Sequence, residues 1–189
     1  MKTVIFNGSP RKEGNTAAIL KGVAKNLMDK GSHVDYFDLF EMNFKDCSAC
    51  MGCKKGEECV QKDALTPALQ KITKADVIVI GSPIYLSAET ATTKALMDRF
   101  YSFLAMGAGP GQYANRLPKG KKGVMLLTCG NPQGVEMFSP VTVRYENYFQ
   151  RFAIDGKVMV VPSLSPGMKV LETPRGQKAV EDIMQHISV

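Results

Sequence analysis

Short apolar runs recur along the chain, and each leads through a polar loop toward a helical pattern. Val4-Ile5-Phe6, Val77-Ile78-Val79-Ile80, Gly123 to Thr128 and Val158-Met159-Val160-Val161 are four such runs, and His33 to Leu39 alternates polar and apolar as a less buried fifth. The wholly β-branched run at 77–80 is the mark of a central strand covered on both faces. Helical stripes lie between the runs: Ile19, Leu20, Val23, Ala24, Leu27 and Met28, then Leu69 and Ile72, then Ala91 through Leu104, then Val141 through Phe152. A last helix opens at Thr173-Pro174, with Val180, Ile183, Met184 and Ile187 on its inner side. Thr is a good N-cap and Pro fits the first helical turn. Strands that alternate with helices need crossover connections, so the sheet is predicted to be parallel with helices on both faces.

The loop after the first strand reads Asn7-Gly8-Ser9-Pro10-Arg11-Lys12-Glu13-Gly14-Asn15-Thr16 and runs straight into the first helix. A helix start carries unpaired N–H groups and the positive end of the helix dipole, so it attracts an anion. Ser9, Asn15 and Thr16 add short-range donors, and Arg11 adds a charged fork that matches phosphate oxygens. The loop is neither G-x-G-x-x-G nor G-x-x-x-x-G-K-[ST], which argues against a dinucleotide crevice and a triphosphate loop. It is read as a cradle for one phosphate monoester; an ordinary strand-to-helix turn is the plain alternative.

The loop after the third strand, Gly81-Ser82-Pro83-Ile84-Tyr85-Leu86-Ser87, supports a flat ligand. Pro83 fixes the backbone, residues 84 to 87 offer N–H and C=O groups to a heterocycle edge, and Tyr85 offers a ring face. In a sheet of strand order 2-1-3-4-5 the first and third strand ends lie side by side where the order reverses. Phosphate in the first loop with a planar group over the second is the geometry of FMN.

Four of the five cysteines, Cys47, Cys50, Cys53 and Cys59, fall within thirteen residues in the spacing C-x2-C-x2-C-x5-C. Such clustering argues for metal or redox use rather than a disulfide framework. Thiolates two residues apart can wrap a [4Fe–4S] cluster, and a fourth can close it. Zinc suits four thiolates equally well but more often sits between two separated knuckles. Free thiols without metal are the third reading. Cys129 stands apart as a small residue at a strand end.

The 189 residues suffice for one domain, 1–189, with the cysteine-rich stretch as an insertion at about 44–63. The net charge of +6 is spread along the chain, with local runs at Lys54-Lys55 and Lys119 to Lys122 and no aromatic–basic alternation. No nucleic acid partner is therefore expected. No apolar run is long enough to cross a bilayer and the N-terminus does not read as a signal peptide, so a cytoplasmic protein without a membrane partner is expected. No nucleophile–His–carboxylate set stands out, and no protein side chain is assigned a catalytic role.

Gly8-Ser9-Pro10-Arg11 through Asn15-Thr16, then Gly81-Ser82-Pro83-Ile84-Tyr85 and Lys94-Ala95-Leu96-Met97-Asp98-Arg99, resemble the NADPH-dependent FMN reductase branch of the flavodoxin-like superfamily. The cysteine cluster between them is similar to that of the iron–sulfur flavoproteins. The resemblance implies an α/β flavodoxin-like three-layer sandwich with a five-stranded parallel sheet, one FMN per subunit and a homodimer or homotetramer. By position, Ser9, Arg11, Asn15 and Thr16 would hold the phosphate, and Pro83, Ile84, Tyr85 and Leu86 would border the ring. Thr128, Cys129 and Gly130 would meet the ring or ribityl chain. Asp98 and Arg99 are assigned to helix packing or subunit contact. The implied activity is an FMN-dependent oxidoreductase. With a cluster it would carry electrons between a ferredoxin-like partner or NAD(P)H and a small acceptor such as a quinone, flavin or oxygen species. A cluster-free NAD(P)H-dependent FMN reductase and a non-catalytic FMN or thiol redox sensor are the alternatives.

Overall fold

The computed structural model describes residues 1–109 and 111–188. Pro110, within the glycine- and proline-rich break at 106–111, lies outside the described residues, as does Val189. In chain order the strands are β1 (Lys2–Asn7), β2 (His33–Asp38), β3 (Val77–Tyr85), β4 (Ala88–Glu89), β5 (Leu104–Met106), β6 (Tyr113–Asn115), β7 (Lys122–Thr128) and β8 (Asp155–Val161). The helices are α1 (Asn15–Asp29), α2 (Gly52–Lys55), α3 (Thr66–Lys74), α4 (Ala91–Arg99), α5 (Gly134–Met137), α6 (Ser139–Arg151) and α7 (Pro174–Ile187).

The five long strands pair in the order β2-β1-β3-β7-β8, all parallel, which is the predicted order 2-1-3-4-5. The pleat sends alternate side chains to opposite faces. Val4, Phe6, Ile78, Ile80, Met125 and Leu127 join one core with Leu69, Ile72, Leu96, Tyr145 and Phe149 from α3, α4 and α6. Ile5, Val77, Val79, Val124 and Leu126 join the other with Ile19, Leu20, Val23 and Ile183 from α1 and α7. Each fully buried aliphatic side chain contributes about 1.5–3 kcal/mol against exposure, so both helical layers are held by the central strands. The apolar runs therefore have to be continuous, as the sequence shows. β2 lies at an edge and is only partly buried.

Three departures from the sequence reading have local causes. The third strand continues past Ile80 to Tyr85 and folds back on β4, through Ile84 opposite Glu89 and Tyr85 opposite Ala88. The helix expected over 90–103 ends at Arg99, and a 3-10 turn at Phe100–Phe103 leads into an unpredicted hairpin of β5 and β6. Lys121, within the charge run at Lys119 to Lys122, is buried; its ammonium donates to the carbonyl oxygens of Thr73 (2.9 Å) and Ala75, and burial pulls its pKa down.

Candidate functional site

The carboxyl ends of β1, β3 and β7 surround a cleft of about 490 Å³. Ser9, Arg11, Asn15 and Thr16 line it from the first loop, Pro83, Ile84 and Tyr85 from the second, and Thr128, Cys129 and Gly130 from the third. Ten of the eleven residues predicted from sequence thus border one space. Leu86 does not; it projects fully into solvent. Leu86 and Ser87 both adopt positive φ (45° and 64°), the paired left-handed turn of a tight hairpin, which reverses the chain and carries Leu86 away from the cleft.

The first loop is braced from below. Asn7, buried at the end of β1, donates from Nδ2 to Asp38 Oδ1 (2.6 Å) and accepts from the Ser9 N–H (3.1 Å). Ser9 Oγ accepts from the Arg11 N–H (3.1 Å) and Gly14 N–H donates to the Arg11 carbonyl (3.0 Å), so residues 9–14 close into a compact ring. No side chain caps α1 at Gly14, and its first turn holds no acidic residue. The opening N–H groups of a fifteen-residue helix are left to face the cleft beside Arg11, the arrangement that suits an anion. Thr16 differs in detail from its predicted use. Its buried hydroxyl shares a hydrogen bond with Thr128 (2.6 Å), joining the first loop to the third, so its backbone N–H is the group left at the helix start. Asn15 Nδ2 donates to the Ser165 carbonyl (2.9 Å).

The first and second loops are tied together by buried hydroxyls. Thr90 Oγ1 donates to the Gly8 carbonyl (2.8 Å) and lies 2.9 Å from Thr93 Oγ1, while the Thr90 N–H donates to Ser82 Oγ (3.0 Å). Gly8 is obligatory here, since a Cβ would stand 1.8 Å from Thr93 Oγ1 and 3.1 Å from the Gly81 carbonyl. Leu164, Pro166 and Gly167, from the loop after β8, also line the cleft and were missed. Their signal was present as Pro162-Ser163-Leu164-Ser165-Pro166-Gly167, the same Gly, Ser and Pro richness that marks the other three loops. Burial raises the pKa of the Cys129 thiol against the opposing hydrogen bond from Asn131.

The cysteine-rich stretch connects β2 to α3 as irregular chain with the single turn α2. All five cysteines are free thiols. Cys47, Cys50, Cys53 and Cys59 line a common crevice with Gln61, Arg99 and Tyr101. As the side chains stand, no three His, Cys, Asp or Glu groups among the described residues converge into a metal-ligand set. Three basic side chains hold the stretch in place. Lys54 Nζ donates to the carbonyls of Tyr101 and Leu104 (2.5 Å each) and sits 3.5 Å over the Tyr101 ring. Arg116 Nη1 donates to the Cys53 carbonyl (2.7 Å). Arg99, fully buried, donates to Asp63 (2.6 Å), the Lys45 carbonyl (2.8 Å) and Gln61 Oε1 (3.2 Å). Burial works against ionisation of Asp63, but the Arg99 hydrogen bond and charge, together with the backbone N–H groups of Lys45 and Leu65, outweigh it and hold the carboxyl below its usual range. The Cys50 thiol is lowered chiefly by a hydrogen bond from the Gly52 backbone.

No helix among the described residues is long and apolar enough to cross a membrane. The model of the family described as NADPH-dependent FMN reductase matches residues 1–140. An iron-sulfur flavoprotein of Methanocaldococcus jannaschii is 33% identical over 99 residues, covering 52% of this chain and 51% of that one. An iron-sulfur flavoprotein of Clostridioides difficile is 29% identical over 191 residues, covering 100% of this chain and 76% of that one. The matched segment spans about half the length of that Methanocaldococcus jannaschii relative and of an iron-sulfur flavoprotein of Archaeoglobus fulgidus (51% and 48%). Among solved structures, the NAD(P)H:quinone oxidoreductase from Methanothermobacter marburgensis superposes with a TM-score of 0.72 at 16% identity, over 99% of this chain and 94% of that one. Loop order, strand order and the matched segment converge: the chain belongs to the NADPH-dependent FMN reductase family.

Proposed function

We propose that this chain is an FMN-dependent oxidoreductase that takes electrons from NAD(P)H and passes them to a small acceptor such as a quinone or a flavin. One observation carries the reading: the uncapped start of α1 and Arg11 share a single cleft with the Pro83–Tyr85 wall. The residues fit FMN in chemistry and in room. The helix start and Arg11 supply donors and charge for a phosphate, and Ile84 and Tyr85 supply a half-buried wall for a planar ring. Gly130 also borders the cleft, and a Cβ there would meet only the Leu164 carbonyl, at 3.6 Å. A bound FMN supplies a two-electron acceptor that also releases electrons singly.

The protein's own part is binding and exclusion. The bonds among Asn7, Ser9, Arg11 and Gly14 hold the backbone of the first loop, which keeps the opening N–H groups of α1 in place for an anion. Leu164 and Cys129, both buried, shield the inner end of the cleft from water. Tyr85, 47% exposed at the mouth, offers an aromatic surface to a flat donor or acceptor. The test is fluorescence titration of the flavin-free protein with FMN and with riboflavin, followed by NAD(P)H oxidation with added quinone. Tight FMN binding that weakens strongly when the phosphate is absent supports the cradle. Equal affinity for both ligands overturns it.

The thiol crevice favours a second element within the same reading, a [4Fe–4S] cluster held by Cys47, Cys50, Cys53 and Cys59. Four soft donors in one crevice suit it in number and chemistry, and the side chains would close inward on loading. A ferredoxin-like donor would accompany this version. Cys53→Ala abolishes bound iron if the cluster exists and leaves metal content unchanged if it does not.

A further inference from the structure

The guanidinium of Arg99 keeps one nitrogen, Nε, without a hydrogen-bond partner among the described residues, although the side chain is wholly buried. A buried donor left unpaired is costly, more so on a charged group, so its persistence calls for an acceptor. Arg99 borders the crevice that the four thiols share. Burial disfavours its charge, but the bond to Asp63 and the nearness of the Cys59 sulfur hold it protonated. The other nitrogens are committed to chain on both sides of the cysteines: Lys45 ahead of Cys47, and Gln61 and Asp63 beyond Cys59.

We infer that Arg99 is the positioning residue of the thiol crevice: it clasps both ends of the cysteine-bearing loop and presents Nε–H as a donor to the sulfur of Cys59. The inference rests on the reading of the four thiols as ligands of a [4Fe–4S] cluster. Reduction of such a cluster adds one electron and therefore one negative charge. A fixed cation and an N–H···S bond stabilise the reduced form more than the oxidised one and raise the potential. The same guanidinium closes the loop without iron, because its three anchoring partners are protein atoms.

The test compares wild type with Arg99→Gln, Arg99→Lys and Asp63→Asn after anaerobic reconstitution with iron and sulfide. Iron content, the midpoint potential from a dye-mediated titration, and tryptic cleavage within 45–62 of the iron-free protein are measured. Gln removes the charge, and the potential is expected to move negative. Lys keeps a charge but cannot span Asp63 and the sulfur together, so a smaller negative shift is expected. Asp63→Asn loosens one clasp and removes a negative charge while leaving the guanidinium in place; faster cleavage without a negative shift of the potential is expected. An iron-loaded Arg99→Lys or Arg99→Gln protein with the wild-type potential overturns the donor role of Arg99 and leaves the cluster reading standing. Wild type that takes up no iron overturns the cluster reading and the donor role with it.

Discussion

The strand-end cleft and the thiol crevice lie in one chain but are built in opposite ways. The cleft is made of strand ends. Its loops leave β1, β3 and β7, whose pairing is fixed residue by residue, and hydroxyls from Thr16, Thr90 and Thr128 fasten them to one another. The crevice is made of a long irregular segment with one helical turn, hung on the side chains of Arg99, Lys54 and Arg116. The cleft is thus preorganised by the sheet, which has to form for the protein to fold at all. The crevice depends on a few charge-assisted bonds and can loosen while the sheet stays intact.

The sharpest way to break that contrast is Gly8→Ala. The new Cβ collides with Thr93 Oγ1 and the Gly81 carbonyl, so a loss of about 3 kcal/mol in global stability is expected by urea denaturation. A normal unfolding midpoint would show that the cleft is less bound to the sheet than its contacts imply. Arg11→Ala acts on the ligand alone. FMN affinity should fall by about 1.5–3 kcal/mol, roughly ten- to a hundredfold, with the unfolding midpoint of the flavin-free protein unchanged. Unchanged affinity in a titration counts against the phosphate assignment.

On the crevice side, Asp63 carries a pH signature. Its folded pKa lies below the ordinary carboxylate value, so the stability it contributes is complete above about pH 4 and fades as pH falls through the folded value. Thermal unfolding between pH 5 and 2 should show this decline in wild type and a shallower one in Asp63→Asn. Identical slopes would mean that the Arg99 pair adds nothing to acid resistance. The smallest effect is expected from Lys54→Met, which removes two carbonyl contacts and the ring contact with Tyr101. Global stability should change by about 1 kcal/mol or less while tryptic cleavage near residue 55 accelerates, and equal cleavage rates would break the proposed difference between the regions.

The sheet and most of the cleft were legible because their signals are local. A β-branched run announces a buried strand, and Gly, Ser and Pro after it announce a ligand-facing loop. What escaped is non-local or weakly patterned. Leu104-Ala105-Met106 and Tyr113-Ala114-Asn115 have no alternation, and they pair across a turn in which the Gly107 N–H donates to the Gln112 carbonyl (2.8 Å). Tyr85 lines the cleft while Leu86 points away from it, since a paired left-handed turn without glycine or asparagine has no sequence cue. Arg99, read as a packing or subunit-contact residue, holds carbonyl and carboxylate groups 36 to 54 positions away, which no window of sequence reveals. The hydroxyl of Thr16 turned inward to a partner 112 residues distant for the same reason.

Helix α4 begins just after Thr90, whose hydroxyl grips Gly8, and it ends at Arg99, whose guanidinium grips the thiol loop. Nine residues rise about 13 Å, so the two chemical regions are the two ends of one short rigid rod. The glycine of the anion cradle and the loop of thiols are therefore moored to opposite tips of the same helix.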